Sequence, residues 1–276
     1  MKMTKSSLGA ITIFTGDARD LPFPNNSIDL IVAHPPQFGL ESDRYGGDVS
    51  KQINFDQSEK KMLKGLEQIT EEAYRLLKNN GSFFVASGSY LNMDIKYLLQ
   101  TIDNSDFSYF GKILQNGFIP DNPEDFTFER IKSESVISWY HFVKGDQPFV
   151  NPFKVKKYNN PVWNLSLANL DDEVDSWLVE TYPYTSDAIN KEVPKRIIEM
   201  FSKKGHLVLD MFGGTGVVST TAASLGRNAI VADISEDTAS AAKLRIMLTF
   251  GEKYLNENVK VVKDERLNNK KPRVKK

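Results

Sequence analysis

The chain has 276 residues, 40% of them hydrophobic, with 35 Lys and Arg against 36 Asp and Glu for a net charge of −1. That length holds one large α/β domain with a small insertion, and the near-neutral balance leaves any attraction to phosphates to local patches. There is no cysteine, which excludes a disulfide framework, a thiolate metal site and a cysteine nucleophile. Three histidines, at positions 34, 141 and 206, lack ligand spacing, so no metal site is expected. No apolar run approaches the ~20 residues of a membrane span and the amino terminus lacks a secretory apolar region, which predicts a cytoplasmic protein.

In chain order, a strand is expected at about Ala10 to Phe14, ending in Gly16-Asp17. In a parallel sheet Asp17 faces the crevice at the carboxyl strand ends; a plain Asx turn is the other reading. A second apolar strand, Ile28 to Ala33, runs into His34-Pro35-Pro36-Gln37-Phe38-Gly39-Leu40. Two consecutive prolines fix φ and hold the strand-end carbonyl with little freedom. A polar stretch from Glu41 to Asn54 precedes a helix from Ser58 to Lys78, whose Met62, Leu66, Ile69, Ala73 and Leu76 recur at helical spacing and mark a core face. A strand at Ser82 to Ser87 follows. Residues 104–183 carry strand-like alternation at Val136 to Val143 and three lysines, Lys154, Lys156 and Lys157, beside Phe153, Tyr158 and Trp163. These lysines and the basic end Lys270 to Lys276 are candidates for phosphate contact, or solvated charge.

The last third is the most informative. Val208-Leu209-Asp210-Met211-Phe212-Gly213-Gly214-Thr215-Gly216 reads as a buried strand entering a glycine turn, where backbone approaches a ligand closer than a Cβ permits. Lys203 to Gly205 closes the helix before it, Val217 to Leu225 is the helix after it, and Gly226 caps that helix. Ala229 to Ala232 forms the next strand and ends at Asp233, an acid placed to take two ribose hydroxyls. Asp210 is read equally as a ligand or as a turn cap. No Lys-Ser/Thr follows the last glycine, so a phosphate-binding loop is disfavoured. A final strand is expected at Val259 to Val262. Strands alternating with helices predict a Rossmann-like, mostly parallel sheet with helices on both faces.

Phe212-x-Gly214-x-Gly216 after an acidic strand end resembles the S-adenosylmethionine loop of methyltransferases. His34-Pro35-Pro36-Gln37-Phe38-Gly39-Leu40 with Tyr45-Gly46-Gly47 resembles the catalytic loop of the amino-methyltransferases that modify adenine N6 or cytosine N4 in DNA. Gly16-Asp17-Ala18, Arg75 to Ser82, Glu134 to Trp139, Pro161 to Asn164 and Glu192 to Ile198 are similar to further segments of that family. Catalytic loop first and cofactor loop last is the permuted order of its β class.

The resemblance implies a catalytic set of His34, Pro35, Pro36, Gln37 and Phe38, and a cofactor set of Asp17, Asp210, Phe212, Gly213, Gly214, Gly216 and Asp233 around S-adenosylmethionine. It implies DNA as substrate, a restriction-modification context, and a homodimer or a partner methyltransferase or restriction subunit. Residues 1–103 become the catalytic-loop half, 104–183 an insertion for target recognition, 184–264 the cofactor half and 265–276 a basic tail. Without cysteine, cytosine C5 methylation is excluded, because it needs a thiolate.

The catalytic loop departs from the family, which has Asp, Asn or Ser where His34 stands and an aromatic residue where Gln37 stands. An exocyclic amine has its lone pair delocalised into the ring, so the site must accept hydrogen bonds from both N–H groups. A neutral His34 offers one acceptor and a protonated one offers none, so transfer is expected to fall near the ordinary imidazole pKa of about 6.5. Phe38 is the candidate stacking face in place of Gln37. A cofactor-binding subunit without catalysis and an RNA methyltransferase are the alternative readings.

Overall fold

The computed structural model describes residues 8–35, 59–88, 93–116, 136–165, 173–182 and 189–268. In chain order these form β1 (Ile11–Thr15), β2 (Ile28–Ala33), α1 (Glu59–Leu76), β3 (Leu77–Gly88), α2 (Met93–Asn104), β4 (Ser108–Asn116) and β5 (Val136–Val143). They continue as α3 (Pro152–Lys157), β6 (Val162–Asn164), α4 (Glu173–Thr181), α5 (Glu192–Phe201), β7 (Leu207–Asp210), α6 (Val217–Ser224), β8 (Asn228–Asp233), α7 (Glu236–Phe250), α8 (Glu252–Asn258) and β9 (Val259–Lys263).

The strands form one sheet in the order β6-β4-β5-β3-β2-β7-β8-β1-β9. β5 runs antiparallel to β3 and β4, and the other pairings are parallel. The sheet is covered on both faces, as continuous apolar strands require. On β2, Leu30 and Val32 face a core shared with α5, α6 and α7, while Ile31 and Ala33 face a second core shared with α1 and α2. All four are fully buried. The alternation of strand side chains divides one apolar run between two cores. β4, β5 and β6, within 104–183, continue the same sheet beyond β3.

α1 stops at Leu76, the last residue of its apolar face and two short of the expected end at Lys78, and β3 starts at once. The reason is tertiary: Lys144 Nζ donates to the carbonyls of Tyr74 and Leu77 at 2.7 and 2.9 Å, and the backbone N–H of Ser27 donates to that of Leu76 at 2.9 Å. Donors from two other segments, one of them charged, thus take the last carbonyls of the helix. Asn80, at φ 66°, then turns the strand toward Gly81.

Candidate active site

β2, β7, β8 and β1 are adjacent and parallel, so their carboxyl ends lie along one edge of the sheet. Pairing of Leu30 with Val208 and of Ile31 with Leu209 sets the strand that leads to His34 beside the strand that leads to Asp210. The edge therefore gathers His34, the Phe212–Gly216 turn, Asp233 and Asp17 from opposite ends of the chain. A parallel sheet places its ligand crevice at such an edge.

The glycine turn is held by main-chain and carboxylate bonds. Gly213 N–H donates to the Ala232 carbonyl at 2.8 Å and Gly216 N–H to that of Gly213 at 2.7 Å. Asp233 Oδ2 accepts from the N–H of Gly214 at 3.0 Å and Oδ1 from that of Ser235 at 3.0 Å. A Cβ on Gly213 would lie 2.0 Å from Val231 Cγ2, while Gly214 and Gly216 adopt left-handed φ of 46° and 79°. The first glycine is thus required by packing and the other two by conformation. Phe212 packs partly buried against the α1-side core.

Two of the carboxyls at this edge, Asp210 and Asp233, are pushed upward. Asp210 is 4% exposed; burial, reinforced by the nearby charge of Asp233, raises its pKa to about 8, although one oxygen accepts from Phe212 N–H at 3.1 Å. Burial also raises Asp233, opposed by its backbone hydrogen bonds. A site that makes two carboxylates reluctant to ionise favours a cationic ligand. S-adenosylmethionine fits that demand, with a positive sulfonium and ammonium, and its ribose suits a carboxylate such as Asp233. Asp17 lies at the same edge, its carboxylate gripped by Arg19 through Nε at 2.8 and 3.1 Å and Nη2 at 2.6 Å.

His34 stacks on Trp139, ring centroids 5.9 Å apart and planes 30° apart, and its Nε2 is buried without a hydrogen-bond partner among the described residues. Burial lowers its pKa to about 4, so the ring is neutral throughout the physiological range. The expectation of titration near 6.5, the unperturbed value, is corrected: burial strips the imidazolium of the water that would solvate its charge. Trp139 is itself anchored by Nε1–H donation to the buried Gln115 Oε1 at 3.1 Å. Pro35 is buried at the strand end. Pro36, Gln37 and Phe38 lie outside the described residues.

The lysines of α3 are elsewhere: α3 is anchored at the C-terminal end of α5 by Asn151 N–H to the Met200 carbonyl at 2.7 Å, and Lys154 pairs with Glu199. Other residues of the edge went unread in the sequence. Ser235 caps α7, accepting from the N–H groups of Asp237 and Thr238 at 3.2 and 3.4 Å. Its signal was present, a serine ahead of Glu236 and Asp237. Trp139 and Gln115 gave no such signal, because their role depends on the β4–β5 register.

A Rossmann-like sheet that gathers a glycine turn, an acidic second strand end and the strand end at His34 and Pro35 on one edge has the arrangement of an S-adenosylmethionine-dependent methyltransferase. The chain belongs to the N6/N4 DNA methylase family, whose model matches residues 28–244. Among curated proteins it is similar to the Type II methyltransferase M.HinfI of Haemophilus influenzae, 28% identical over 253 residues, covering 85% of this chain and 68% of the relative. M.BglII of Bacillus subtilis is 23% identical over 264 residues, covering 83% and 67%. The fold is similar to the PvuII DNA methyltransferase (cytosine-N4-specific), with a TM-score of 0.70, 17% identity, and 93% and 96% of the two chains covered. The putative DNA modification methylase TTHA0409 of Thermus thermophilus, solved with S-adenosyl-L-methionine, gives a TM-score of 0.63 at 19% identity over 91% and 98%.

Proposed function

We propose that this chain methylates an exocyclic base nitrogen in cytoplasmic DNA, with His34 and the Pro35 carbonyl as acceptors for the target amine. S-adenosylmethionine, when bound, would supply a methyl group on a sulfonium: the amine nitrogen would bond to the methyl carbon as the sulfonium–methyl bond breaks, a neutral thioether would leave, and the amine would give up one proton to solvent, without a covalent enzyme intermediate. The observation that carries the reading is the β2–β7–β8 adjacency, which sets the His34 strand end beside the glycine turn and Asp233. The Phe212–Gly216 turn and Asp233 hold the cofactor, and Asp210 answers its positive charge. His34, neutral and with a buried unpartnered nitrogen, draws on one N–H and turns the nitrogen lone pair out of conjugation. Trp139 fixes the imidazole plane. The target base must leave its stack to reach this edge, and Phe38 is assigned as the face that receives it.

The test is incubation of the purified protein with methyl-labelled cofactor and mixed DNA and RNA, followed by digestion to nucleosides. Label on N6-methyldeoxyadenosine or N4-methyldeoxycytidine is expected. Label confined to ribonucleosides, or bound cofactor with no labelled nucleoside, would overturn the proposal in favour of an RNA enzyme or a non-catalytic subunit.

A further inference from the structure

Behind the glycine turn lies a buried ion pair that the reaction scheme does not use. Arg245 of α7, Asp175 of α4 and Thr215 of the turn are 5%, 8% and 7% exposed. Arg245 Nε–H donates to the Thr215 carbonyl at 2.8 Å and Nη2–H to Thr215 Oγ1 at 3.1 Å, while Nη2 also pairs with Asp175 Oδ1. Removing such charges from water is a poor way to gain stability, since apolar residues of similar volume commonly do as well. The guanidinium offers something else, a rigid planar fork with fixed donor directions.

That fork meets the turn at its least constrained point. Thr215 stands between two glycines in left-handed conformations. The peptide joining Thr215 to Gly216 is held on both sides, its carbonyl by Arg245 Nε and its N–H by the Gly213 carbonyl at 2.7 Å. The Gly213–Gly214 peptide, two earlier, is held by Asp233 through Gly214 N–H. The turn is thus pinned by one carboxylate in front and one guanidinium behind, and the guanidinium is oriented by a helix 70 residues away in sequence.

We propose that Arg245 is a positioning residue for the cofactor turn, and that Asp175 acts through it by holding the fork in register. The proposal rests on the assignment of S-adenosylmethionine to the Phe212–Gly216 turn. A turn with three glycines samples many backbone states, and ordering it before binding removes an entropic cost that would otherwise fall on cofactor affinity. Loss of the fork should therefore appear in binding rather than in the rate at saturation.

The experiment compares the full chain with Arg245→Gln, Thr215→Val, Asp175→Ala and the double variant Arg245→Gln with Asp175→Ala, measuring S-adenosylmethionine affinity by calorimetry and kcat at saturating cofactor. Arg245→Gln is expected to weaken binding tenfold or more with kcat within threefold. Thr215→Val, which keeps the carbonyl contact, should weaken it two- to fivefold, and Asp175→Ala should add nothing in the Arg245→Gln background. A folded Arg245→Gln protein that binds within twofold of the parent, while Asp233→Ala binds weakly, overturns the clamp alone. Should Asp233→Ala also bind normally, the cofactor assignment has failed and the clamp with it. If Arg245→Gln does not fold, an unchanged affinity in Thr215→Val overturns the proposal.

Discussion

Asp210→Asn isolates the electrostatic cost of the cofactor edge. The substitution keeps the shape and the acceptor for Phe212 N–H, and removes a buried carboxyl whose pKa stands at about 8 instead of 3.8. Below pH 3.8 the folded and unfolded chains both hold the proton. Between there and pH 8 the unfolded chain releases it while the folded protein keeps it, so stability falls as pH rises and levels off above pH 8. At 1.36 kcal/mol per pH unit the full span approaches ~6 kcal/mol as an upper bound, of which only ~2 kcal/mol has accrued by about pH 5. Asn does not titrate, so the ligand-free Asp210→Asn protein should be the more stable, with a gap that widens from pH 5 to pH 8. With ~2–4 °C of Tm per kcal/mol for a domain near this size, the difference grows from a few degrees to roughly ten. Thermal melts of both proteins across that range test it, and a Tm gap that is the same at pH 5 and pH 8 would refute the reasoning. Cofactor should reverse the preference: cation binding lowers the carboxyl pKa, so the parent releases a proton on binding at pH 7 and Asp210→Asn does not, as calorimetry in buffers of different ionisation enthalpy will reveal.

His34→Asn should remain active, because the amide keeps an acceptor, and should erase the acid limb that His34 places near pH 4; rate profiles in which parent and variant share that limb would remove His34 from the acceptor role. Gly213→Ala, whose Cβ meets Val231 Cγ2, should destabilise by ~1–3 kcal/mol and be partly relieved by Val231→Ala. Gly214→Ala meets only the Phe212 carbonyl oxygen, at an unstrained 3.9 Å, and should lose about 1 kcal/mol for its left-handed φ, so chemical denaturation that ranks Gly214→Ala as the worse of the two would contradict the packing argument. Gln37→Tyr should strengthen capture of the target base by up to ~1–3 kcal/mol through stacking, read as a lower KM for DNA; an unchanged KM would show that this position does not face the base.

The cofactor half was legible to within a residue or two. Ala229 to Ala232 lies inside β8, and Val217 to Leu225 exceeds α6 by one residue. Buried β-branched strands, glycine turns and caps are local signals, and nothing distant overrides them here. β4 was missed because its residues are mostly exposed or half-buried and show no regular alternation, so its place in the sheet is set by pairing with β5 and β6. Of the proposed site, His34, Asp210, Asp233 and the turn were placed at strand ends from neighbours in sequence, and the sheet brings those strand ends to one edge. The depressed pKa of His34 could not be read in that way, since it arises from enclosure that includes Trp139, and neither could the Arg245–Asp175 contact, which joins two helices across unrelated segments.

The pairing of β2 with β7 also bears on synthesis of the chain. Residues 28–33 are made well before residues 207–210, one of their two hydrogen-bonding partners. Until then the strand that leads to His34 has a vacant side in the middle of what becomes a nine-stranded sheet. Closing so long a loop is slow compared with local helix formation. A chain interrupted before Leu207 would therefore carry the Pro-Pro loop but neither the glycine turn nor the acid at Asp233, together with an apolar edge open to other strands. Such a fragment is a candidate for aggregation and cannot assemble the donor and acceptor sides of the transfer. The order of the two motifs along the chain thus makes competence for methylation wait until the second of them has been made.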